Sequence, residues 1–322
     1  MVEGKANVQL FFGMLIFVLV CVRIRKKGVK MTEQIKQKTI KNELTIEGVG
    51  LHSGKSVQMT LKPAPENTGI IFYRTDVKDK DNKIFAKWDC VVDTRMNTCI
   101  GNASGVIVST VEHFMGALAA LGITNLIVHI SAPEVPLMDG SAREFVQALE
   151  QVGLAEQEAS VKAVKVLKTV VFEDGKGASA KLEPADTGLS FDFEIDFPQT
   201  KVIGHQQVHF DLNLADFKAL IAPSRTFGFA AEVEQLRAMG LAKGATLENA
   251  IAIQGDEVLN PDGLRFENEF VQHKVLDAVG DLYEAGMPII GRFTGVKSGH
   301  FHNNQLLRAL FANPENYEII EL

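Results

Sequence analysis

Two predicted helices combine histidine with carboxylate side chains, the residue types that bind divalent metal ions in hydrolytic enzymes. In the first, His113 directly follows Glu112 near the start of a helix predicted from about Thr110 to Leu121. The positive end of the helix dipole disfavours an imidazolium there and favours the neutral imidazole that a metal ion requires. An ordinary half-buried histidine is the alternative for His113, and this segment alone does not exclude it.

Glu112 also has a structural interpretation. The segment Ser109-Thr-Val-Glu112 has the form of a capping box, in which Ser109 accepts a hydrogen bond from a first-turn amide while Glu112 reaches back to the N-cap. From this segment alone the capping role is favoured. A chemical role for the same carboxylate stays open, because Glu112 is the neighbour of a possible metal ligand.

The second helix, predicted from about Phe266 to Ala285, places a histidine and an aspartate on one face. His273 and Asp277 are four residues apart, so they lie one turn apart and can converge on a single ion. Gly280 and Asp281 continue this face, where a small residue allows close approach and a second carboxylate can orient an imidazole. A plain surface pair is the alternative, but these residues interrupt an otherwise apolar helix.

Glycine-flanked histidines form two further candidates. His300 ends the segment Gly295-Val-Lys-Ser-Gly-His300 after a predicted strand, so we expect a tight loop to present it as a general acid or base. Lys297 in the same loop is a candidate anion contact. The glycine-rich turn 48–54 exposes His52, but it lacks the Gly-Lys-Ser/Thr ending that a phosphate-binding P-loop requires.

The elements that must position these residues are strands grouped ahead of helices. Alternating apolar residues predict strands at 44–51, 57–61, 106–108, 125–130, 165–171, 189–197 and 289–293. A further helix is predicted from about Ala142 to Val152. Because strands and helices do not alternate one by one, the pattern predicts the α+β class and argues against a doubly wound parallel sheet.

An internal echo indicates two related halves. Residues 61–72 (LKPAPENTGIIF) resemble residues 182–191 (LEPADTGLSF) once a two-residue gap is allowed. Val111-Glu-His113 and Val271-Gln-His273 repeat in the same order. We therefore predict a duplicated α+β unit of the type β-β-α-α-β. Each half would supply a histidine, so an ion would lie at the seam between them.

The predicted domain organisation follows from this repeat. Residues 31–160 are expected to form the first α+β domain and residues 161–322 the second. The second domain carries an apolar insert at about 227–258, which has the pattern strand, helix, strand. Extra core is the plain alternative for this insert. Residues 1–30 are expected to lie outside the fold.

Residues 1–30 contain an apolar run, Leu10 to Val22, followed directly by a basic cluster. The run is shorter than the roughly 20 residues that span a bilayer. A secretory signal would carry its positive charges before the run, whereas here they follow it. The positive-inside rule would leave everything beyond Arg23 in the cytoplasm. We expect an extension upstream of a working start at Met31, and a marginal membrane anchor is the alternative.

Composition limits the classes of function. The chain has 322 residues, is 46% hydrophobic and carries a net charge of −7, so it lacks the basic face of a nucleic-acid-binding protein. The cysteines Cys21, Cys90 and Cys99 provide neither a disulfide framework nor a cysteine-based zinc motif. This usage is typical of a reducing, cytoplasmic setting. Association with the inner face of the cytoplasmic membrane is left open.

Several strings resemble the bacterial UDP-3-O-acyl-N-acetylglucosamine deacetylases of lipid A biosynthesis. They are GVGLHSGK, STVEH, PLMDGSA, SRTFGF, DGLRFENEF, HKVLDAVGDL and the KSGH loop, and the likeness runs from about residue 35 to 322. It implies one catalytic zinc ion held by His113, His273 and Asp277. It also implies that Glu112 activates water, that His300 acts as general acid beside Asp281, and that Thr226 helps to hold the oxyanion.

The resemblance also implies a fold and a substrate. The fold would be a pair of layered α+β sandwiches with helices between two sheets. The substrate would be a UDP-linked acyl-glucosamine, its 3-hydroxyacyl chain entering a passage formed by the insert and Leu51. Substrate contacts are expected from Leu51, His52, Phe227, Lys274 and Lys297. We expect a monomer with no obligatory protein partner and no nucleic-acid ligand.

Two other classes of function stay open on the sequence. A zinc peptidase could use the same ligand types, although the His-Glu-x-x-His helix motif of the usual metallopeptidases is missing. A non-catalytic, membrane-anchored scaffold is suggested by the N-terminal apolar run. The preferred acyl length, the choice between zinc and ferrous iron, and the oligomeric state are not determined by the sequence.

Overall fold

The structure is a computed structural model that describes residues 34–322. The extension predicted for residues 1–30 lies outside the described residues. In the part described, the strands are β1 Lys36–Ile40, β2 Leu44–Val49, β3 Ser56–Pro63, β4 Ile70–Arg74, β5 Lys83–Phe85, β6 Val91–Asp93, β7 Cys99–Gly101, β8 Ile107–Val108, β9 Leu126–Ile130, β10 Leu154–Ser160, β11 Lys162–Val166, β12 Val170–Glu173, β13 Ser179–Glu183, β14 Leu189–Phe197, β15 Gly204–Asp211, β16 Phe227–Phe229, β17 Ile251–Gln254, β18 Glu257–Val258, β19 Ile289–Val296 and β20 Tyr317–Glu321.

Helices occur in both halves of the described chain. They are α1 Glu112–Leu121, α2 Arg143–Val152, α3 Leu214–Asp216, α4 Ala230–Ala238, α5 Glu269–Tyr283 and α6 His300–Ala312. A π-helical turn at Phe217–Ile221 follows α3, and 3-10 turns lie at Trp88–Cys90 and Pro314–Asn316. The mixture of sheets and helices confirms the predicted α+β class. No helix within residues 34–322 is long and apolar enough to cross a membrane.

The strands before residue 161 pair with one another, and so do the strands after it. Residues up to 160 form a five-stranded sheet in the order β2-β3-β9-β4-β5, a three-stranded sheet β6-β7-β8 and the pair β1-β10. Residues from 162 onward form a seven-stranded sheet built around β19 and a three-stranded sheet β16-β17-β18. Residues 34–322 make one compact unit by their contacts, and a domain boundary near residue 160 stays a prediction.

The two halves repeat one arrangement of strands and helices. β9 pairs antiparallel with β3 and parallel with β4, and β19 pairs in the same way with β13 and β14. In each half one helix precedes this central strand and another follows it: α1 and α2 around β9, α5 and α6 around β19. The central strand therefore lies between the two helices in each half, whereas the predicted unit β-β-α-α-β has no strand at that position.

The predicted helix ends are close to those observed. α1 stops at Gly122, whose φ of 68° and N–H bonds to the carbonyls of Leu118 and Ala119 end the helix. The prediction was incomplete elsewhere, since it omitted strands such as β4, β13 and β15. The single strand expected at 165–171 is two strands, β11 and β12, because β11 pairs with β19 and β20 while β12 pairs with β13. Helix α6 was not predicted.

Helices α1 and α5 contact each other across the two halves, and glycines make their close approach possible. A β carbon on Gly280 of α5 would overlap the carbonyl oxygen of Glu112 on α1. A β carbon on Gly116 would lie 2.9 Å from a methyl group of Leu276. Because both positions lack a side chain, the first turn of α1 can lie directly beside the middle of α5. This contact positions the candidate site.

Candidate active site

The three predicted metal ligands meet where α1 crosses α5. His113 lies in the first turn of α1, and His273 and Asp277 lie one turn apart on α5. Nε2 of each histidine is 3.4 Å from Oδ1 of Asp277, and the two imidazole rings are 4.9 Å apart at an interplanar angle of 83°. All three side chains are buried, and their ligand atoms all lie within 4.8 Å of one another.

The protonation of these groups suits a metal ion. Nδ1 of His273 donates to the carbonyl of Ser224 at 3.1 Å, so its Nε2 is the unprotonated nitrogen that faces Asp277. Burial lowers the pKa of His273 to about 3, which keeps the imidazole neutral. Burial alone would raise the pKa of Asp277, but the electrostatic interactions of its carboxylate with His273 and with the ammonium group of Lys274 outweigh burial and hold that pKa well below its usual range.

Only one of the two carboxylate oxygens of Asp277 has a hydrogen-bond partner. Oδ2 accepts a hydrogen bond from Nζ of Lys274 at 2.6 Å. Oδ1 is buried and has no hydrogen-bond partner, which is costly for a carboxylate oxygen unless a ligand supplies the missing contact. Two imidazole nitrogens and one carboxylate oxygen around one point are the donor set of a catalytic zinc site with an open fourth position. The residues present therefore fit a divalent cation.

Glu112 is buried in the same place but does not cap α1. Val111 occupies the N-cap without a side-chain hydrogen bond, and the hydroxyl of Ser109 donates to the carbonyl of Pro133 at 3.1 Å. The predicted capping box is therefore wrong. The reason is the backbone just before the helix: Thr110 has a φ of 56°, which turns Ser109 away from the first-turn amides. Glu112 accepts instead from the backbone N–H of Thr98 at 3.0 Å, and burial raises its pKa.

His300 lies close to the carboxylates of both Glu112 and Asp281. Its Nδ1 is 2.9 Å from Oδ2 of Asp281, and its Nε2 is 3.8 Å from Oε1 of Glu112. Burial alone would lower the pKa of His300, but the carboxylates of Asp281 and Glu112 outweigh burial and raise it to about 9. His300 is the first residue of α6, so a helix start rather than the predicted tight loop presents it. The predicted loop extended too far because the sequence pattern did not show helix α6, which begins at His300.

Sequence reasoning missed two side chains that support this arrangement. Oγ1 of Thr98 donates to Oδ1 of Asp281 at 2.6 Å, while Nδ2 of Asn303 donates to Oδ2 at 2.8 Å. Thr98 thereby contacts Asp281 through its hydroxyl and Glu112 through its backbone. It lies between β6 and β7, far in sequence from Asp281, and no local pattern marks it.

A cavity of about 200 Å³ lies over the ligand cluster and collects most of the predicted site residues. Its lining residues are Leu51, Met96, Thr110, Glu112, His113, Phe197, Thr226, Phe227, His273, Lys274, Asp277 and His300. Met96, Thr110 and Phe197 were not predicted. Lys297, which was expected to contact an anion, lies outside this lining and forms an ion pair of 2.8 Å with Asp196.

His52 is buried, contrary to the expectation that its turn exposes it. Glu134 holds the turn by accepting from the backbone N–H groups of His52 and Ser53, each at 2.8 Å. Nδ1 of His52 accepts from the N–H of Ala242 at 3.4 Å, while its Nε2 has no hydrogen-bond partner. The burial comes from residues 242–244 of the insert, which dock onto the turn: Gly244 N–H donates to the carbonyl of Leu51 at 2.9 Å.

The insert has the predicted pattern of strand, helix and strand. β16 and β17 pair in parallel, with Phe227 opposite Ile251, and α4 connects them. No residue of α4 is fully buried, and Met239 just beyond it is 59% exposed. The insert therefore borders the cavity through Phe227, and its helix α4 is largely exposed and carries both charged and apolar side chains.

Comparison with known proteins gives a consistent result. A family model described as UDP-3-O-acyl N-acetylglycosamine deacetylase matches residues 37–312. Curated proteins named UDP-3-O-acyl-N-acetylglucosamine deacetylase are similar over most of their length. The protein of Phenylobacterium zucineum is 46% identical over 88% of this chain and 96% of its own. That of Haemophilus ducreyi is 46% identical over 89% and 93%, and that of Shewanella halifaxensis is 47% identical over 88% and 92%.

Proposed function

Because the chain belongs to the family of UDP-3-O-acyl-N-acetylglucosamine deacetylases, we propose that it removes the acetyl group from a UDP-linked 3-O-acyl-N-acetylglucosamine. The products are the free glucosamine amine and acetate, and the reaction is a step of lipid A biosynthesis. One observation supports this best. Oδ1 of Asp277 is buried without a hydrogen-bond partner between the imidazoles of His113 and His273, and Glu112 and His300 lie 3.8 Å apart at the same cavity.

The ion held by His113, His273 and Asp277 is proposed to be zinc. Two nitrogen ligands and one oxygen ligand with an open position suit Zn²⁺, although Fe²⁺ can accept the same donors. When bound, such an ion supplies Lewis acidity that polarises the amide carbonyl and lowers the pKa of a water molecule towards about 7. The buried ion pair with Lys274 keeps Asp277 ionised and therefore ready to act as a ligand.

Glu112 is proposed to take the proton from the attacking water. The N–H of Thr98 holds Oε2, so Oε1 is the oxygen that faces His300 and the cavity. Transfer of this proton leaves a hydroxyl oxygen bonded to the acetamide carbon and a negative charge on the former carbonyl oxygen. A positioned general base of this kind contributes a rate factor of about 10²–10⁴.

His300 and Thr226 are proposed to act on the tetrahedral intermediate. Thr226 lines the cavity, and its hydroxyl can donate to the oxyanion. His300, protonated and held by Asp281, stabilises the same charge and then gives its Nε2 proton to the glucosamine nitrogen as the carbon–nitrogen bond breaks. Loss of a single oxyanion donor typically raises the barrier by about 2.7–4 kcal/mol.

Substrate recognition is proposed to involve Leu51, His52, Phe227, Lys274 and Lys297. Leu51, Phe227 and Lys274 line the cavity, and the insert that begins at Phe227 also carries exposed apolar side chains such as Met239, along which a 3-hydroxyacyl chain can lie. His52 offers its unpartnered Nε2 from the turn below the insert. Lys297 is farther out, and a substrate anion there would have to compete with Asp196.

Location and assembly follow from the proposed chemistry. We place the reaction in the cytoplasm, because nucleotide-linked sugars occur there and its reducing conditions keep thiols such as those of Cys90 and Cys99 free. The chain is proposed to act as a monomer. Each half of the repeat supplies a ligand, so one copy holds a complete donor set.

The test is acetate release from the UDP-linked acyl-glucosamine, with an N-acetylated peptide and an ordinary peptide as competing substrates. We expect acetate release from the sugar nucleotide alone, and its loss in Glu112→Gln. Peptide cleavage at a comparable rate would favour a peptidase, and no hydrolysis of any substrate by protein with its metal bound would favour the scaffold.

A further inference from the structure

The face of α5 that carries the site extends one turn before His273, to Glu269. Glu269, His273, Asp277 and Asp281 follow one another at intervals of four residues, so they form one row along the helix. The last three contribute to the candidate metal site or support His300. Glu269 is fully buried and does not line the cavity, and the reaction proposed above gives it no role.

Glu269 binds Arg225, the residue between Ser224 and Thr226. Its Oε1 accepts from the backbone N–H of Arg225 at 3.1 Å and from Nε of Arg225 at 2.8 Å. Its Oε2 accepts from Nη2 of Arg225 at 3.1 Å and from the backbone N–H of Arg265 at 2.7 Å. Both oxygens are therefore fully used, and the carboxylate sits in the first turn of α5, where the helix dipole favours negative charge.

The residues on either side of Arg225 both reach the site. The carbonyl of Ser224 accepts from Nδ1 of His273 and so selects the tautomer and ring orientation of that ligand. Thr226 lines the cavity. Because peptide geometry links three consecutive residues tightly, the anchored N–H of Arg225 limits the positions of both neighbours.

We propose that Glu269 is a positioning residue for the site: by holding Arg225, it sets the Ser224 carbonyl against His273 and the Thr226 hydroxyl at the cavity. The Glu269 carboxylate then aligns both the metal ligand His273 and the oxyanion donor Thr226. Helix α5, which carries Glu269, also carries the ligands His273 and Asp277. This inference rests on the proposed function where it concerns Thr226. Where it concerns His273 it rests only on binding of the ion.

The test compares Glu269→Gln with the parent protein. Glutamine keeps the size but has a single acceptor oxygen, and it places two N–H donors where the N–H groups of Arg225 and Arg265 already point. Affinity for Zn²⁺ is measured on metal-stripped protein by competition with a chelator of known affinity. We expect it to fall about 10- to 100-fold, the range found when partners of metal-binding histidines are removed. The value of kcat should fall with KM nearly unchanged.

Asp76→Asn is the matched control. Asp76, two residues beyond the end of β4, forms a comparable forked pair with the buried guanidinium of Arg74, at 2.9 and 2.7 Å, outside the cavity lining. Its Zn²⁺ affinity and kcat should equal those of the parent even where its unfolding temperature falls. If Glu269→Gln does not fold, Glu269→Asp replaces it, because aspartate keeps the charge but is too short to reach both backbone N–H groups.

Two results would overturn the proposal. One is a folded Glu269 variant with a lower unfolding temperature but parental Zn²⁺ affinity and kcat, which would make the residue merely structural. The other is an equal loss of Zn²⁺ affinity in Asp76→Asn. Failure of the proposed function is distinguishable: the parent would then bind Zn²⁺ in a Glu269-dependent way without releasing acetate from the sugar nucleotide.

Discussion

Glu112 and His300 are neighbours with opposite proposed roles, and their buried surroundings shift the pKa of each. Glu112 must be ionised to accept a proton, whereas His300 must be protonated to donate one. Burial raises the pKa of Glu112 above that of an ordinary glutamate, and the carboxylates of Asp281 and Glu112 raise the pKa of His300 to about 9. The two groups are thereby poised as base and acid over the same range of pH.

The pH dependence of kcat/KM is predicted to be a bell. On the acid side, an increase in pH ionises Glu112, so kcat/KM rises. A further increase in pH deprotonates His300, so kcat/KM falls near pH 9. The measurement is kcat/KM for the UDP-linked substrate from acid to alkaline pH, with His300→Gln as the comparison. A flat profile in the parent, or an unchanged alkaline limb in His300→Gln, would contradict the assignment.

Thr98 is predicted to matter through its hydroxyl. Thr98→Val keeps the backbone N–H to Glu112 but removes the donor to Asp281, leaving a buried carboxylate oxygen without that partner. We expect the free energy of unfolding to fall by about 1–3 kcal/mol and kcat to fall as well. Denaturant unfolding and steady-state kinetics measure both.

Two variants separate the hydroxyl of Thr98 from the loss of any threonine. Thr98→Ser should restore kcat, because serine keeps the hydroxyl. Thr45→Val, which breaks an exposed threonine pair of 3.1 Å between β2 and β3, should leave kcat unchanged. Full activity in Thr98→Val would remove Thr98 from the supporting network.

At the residue scale, predictability from sequence depends on whether a residue acts locally. The four-residue spacing of His273 and Asp277, and Asp281 beyond them, could be found because a helix converts spacing into one shared face. Thr98 contacts Asp281 through its hydroxyl and Ser224 contacts His273 through its backbone carbonyl, and both partners are distant in sequence, so no local pattern predicts either contact. The capping box at Ser109 failed because the left-handed backbone of Thr110 is invisible in the residue types.

At the scale of elements, the crossing of α1 and α5 is the feature that assembles the site. The two helices come from different halves of the repeat, and their closest approach is at Gly280, next to the turn that carries Asp277 and Asp281. Glu112 and His113 lie on the other side of this contact. The distance between the helices therefore decides whether Nε2 of His113 can reach the ligand position.

Gly280→Ala is predicted to separate the helices. The added β carbon overlaps the backbone of Glu112, which cannot move aside as a side chain could. Overpacking of this kind costs about 1–3 kcal/mol, and we expect Zn²⁺ affinity to fall with it. Gly116→Ala is the graded control, because its β carbon meets only the flexible end of Leu276 at 2.9 Å. Equal Zn²⁺ affinity in the parent and Gly280→Ala would show that the crossing distance is not critical.

The insert gives a prediction about substrate length. Met239 is 59% exposed, so Met239→Glu should leave the fold intact while placing a charge beside the apolar side of the insert. We expect kcat/KM to fall far more for substrates with long acyl chains than for those with short ones, since only long chains reach this part. Leu241→Glu should behave in the same way. An equal loss for both chain lengths would count against an acyl passage here.

Sequence predicted most elements near the site, and the misses have physical reasons. Apolar alternation and a glycine stop located β14 and the end of α1 well, because both signals are local. The start of α6 was hidden behind Gly299, which normally marks a loop rather than the beginning of a helix. The burial of His52 depends on residues 242–244 docking from the insert, a contact that spans nearly two hundred residues of chain.

At the scale of the whole molecule, duplication accounts for the position of the site. Each half places a helix before its central strand, and a histidine near the contact between these helices comes from each half: His113 from the first and His273 from the second. The repeat was detectable in the sequence only as two weak echoes. Asp277 and Asp281 have no acidic counterpart on α1, where the buried residues Ala117 and Leu121 occupy the equivalent positions.

The most direct test of the account measures metal content and deacetylation together. Parent protein and Asp277→Asn are treated with a chelator, then titrated with Zn²⁺ while acetate release from the UDP-linked acyl-glucosamine is followed. The account predicts that the parent loses activity on metal removal and regains it with one Zn²⁺ per chain, whereas Asp277→Asn binds Zn²⁺ weakly and recovers little. Full activity in the metal-free parent, or an Asp277→Asn protein that regains parental activity with one Zn²⁺, would contradict the central claim that His113, His273 and Asp277 hold the catalytic ion.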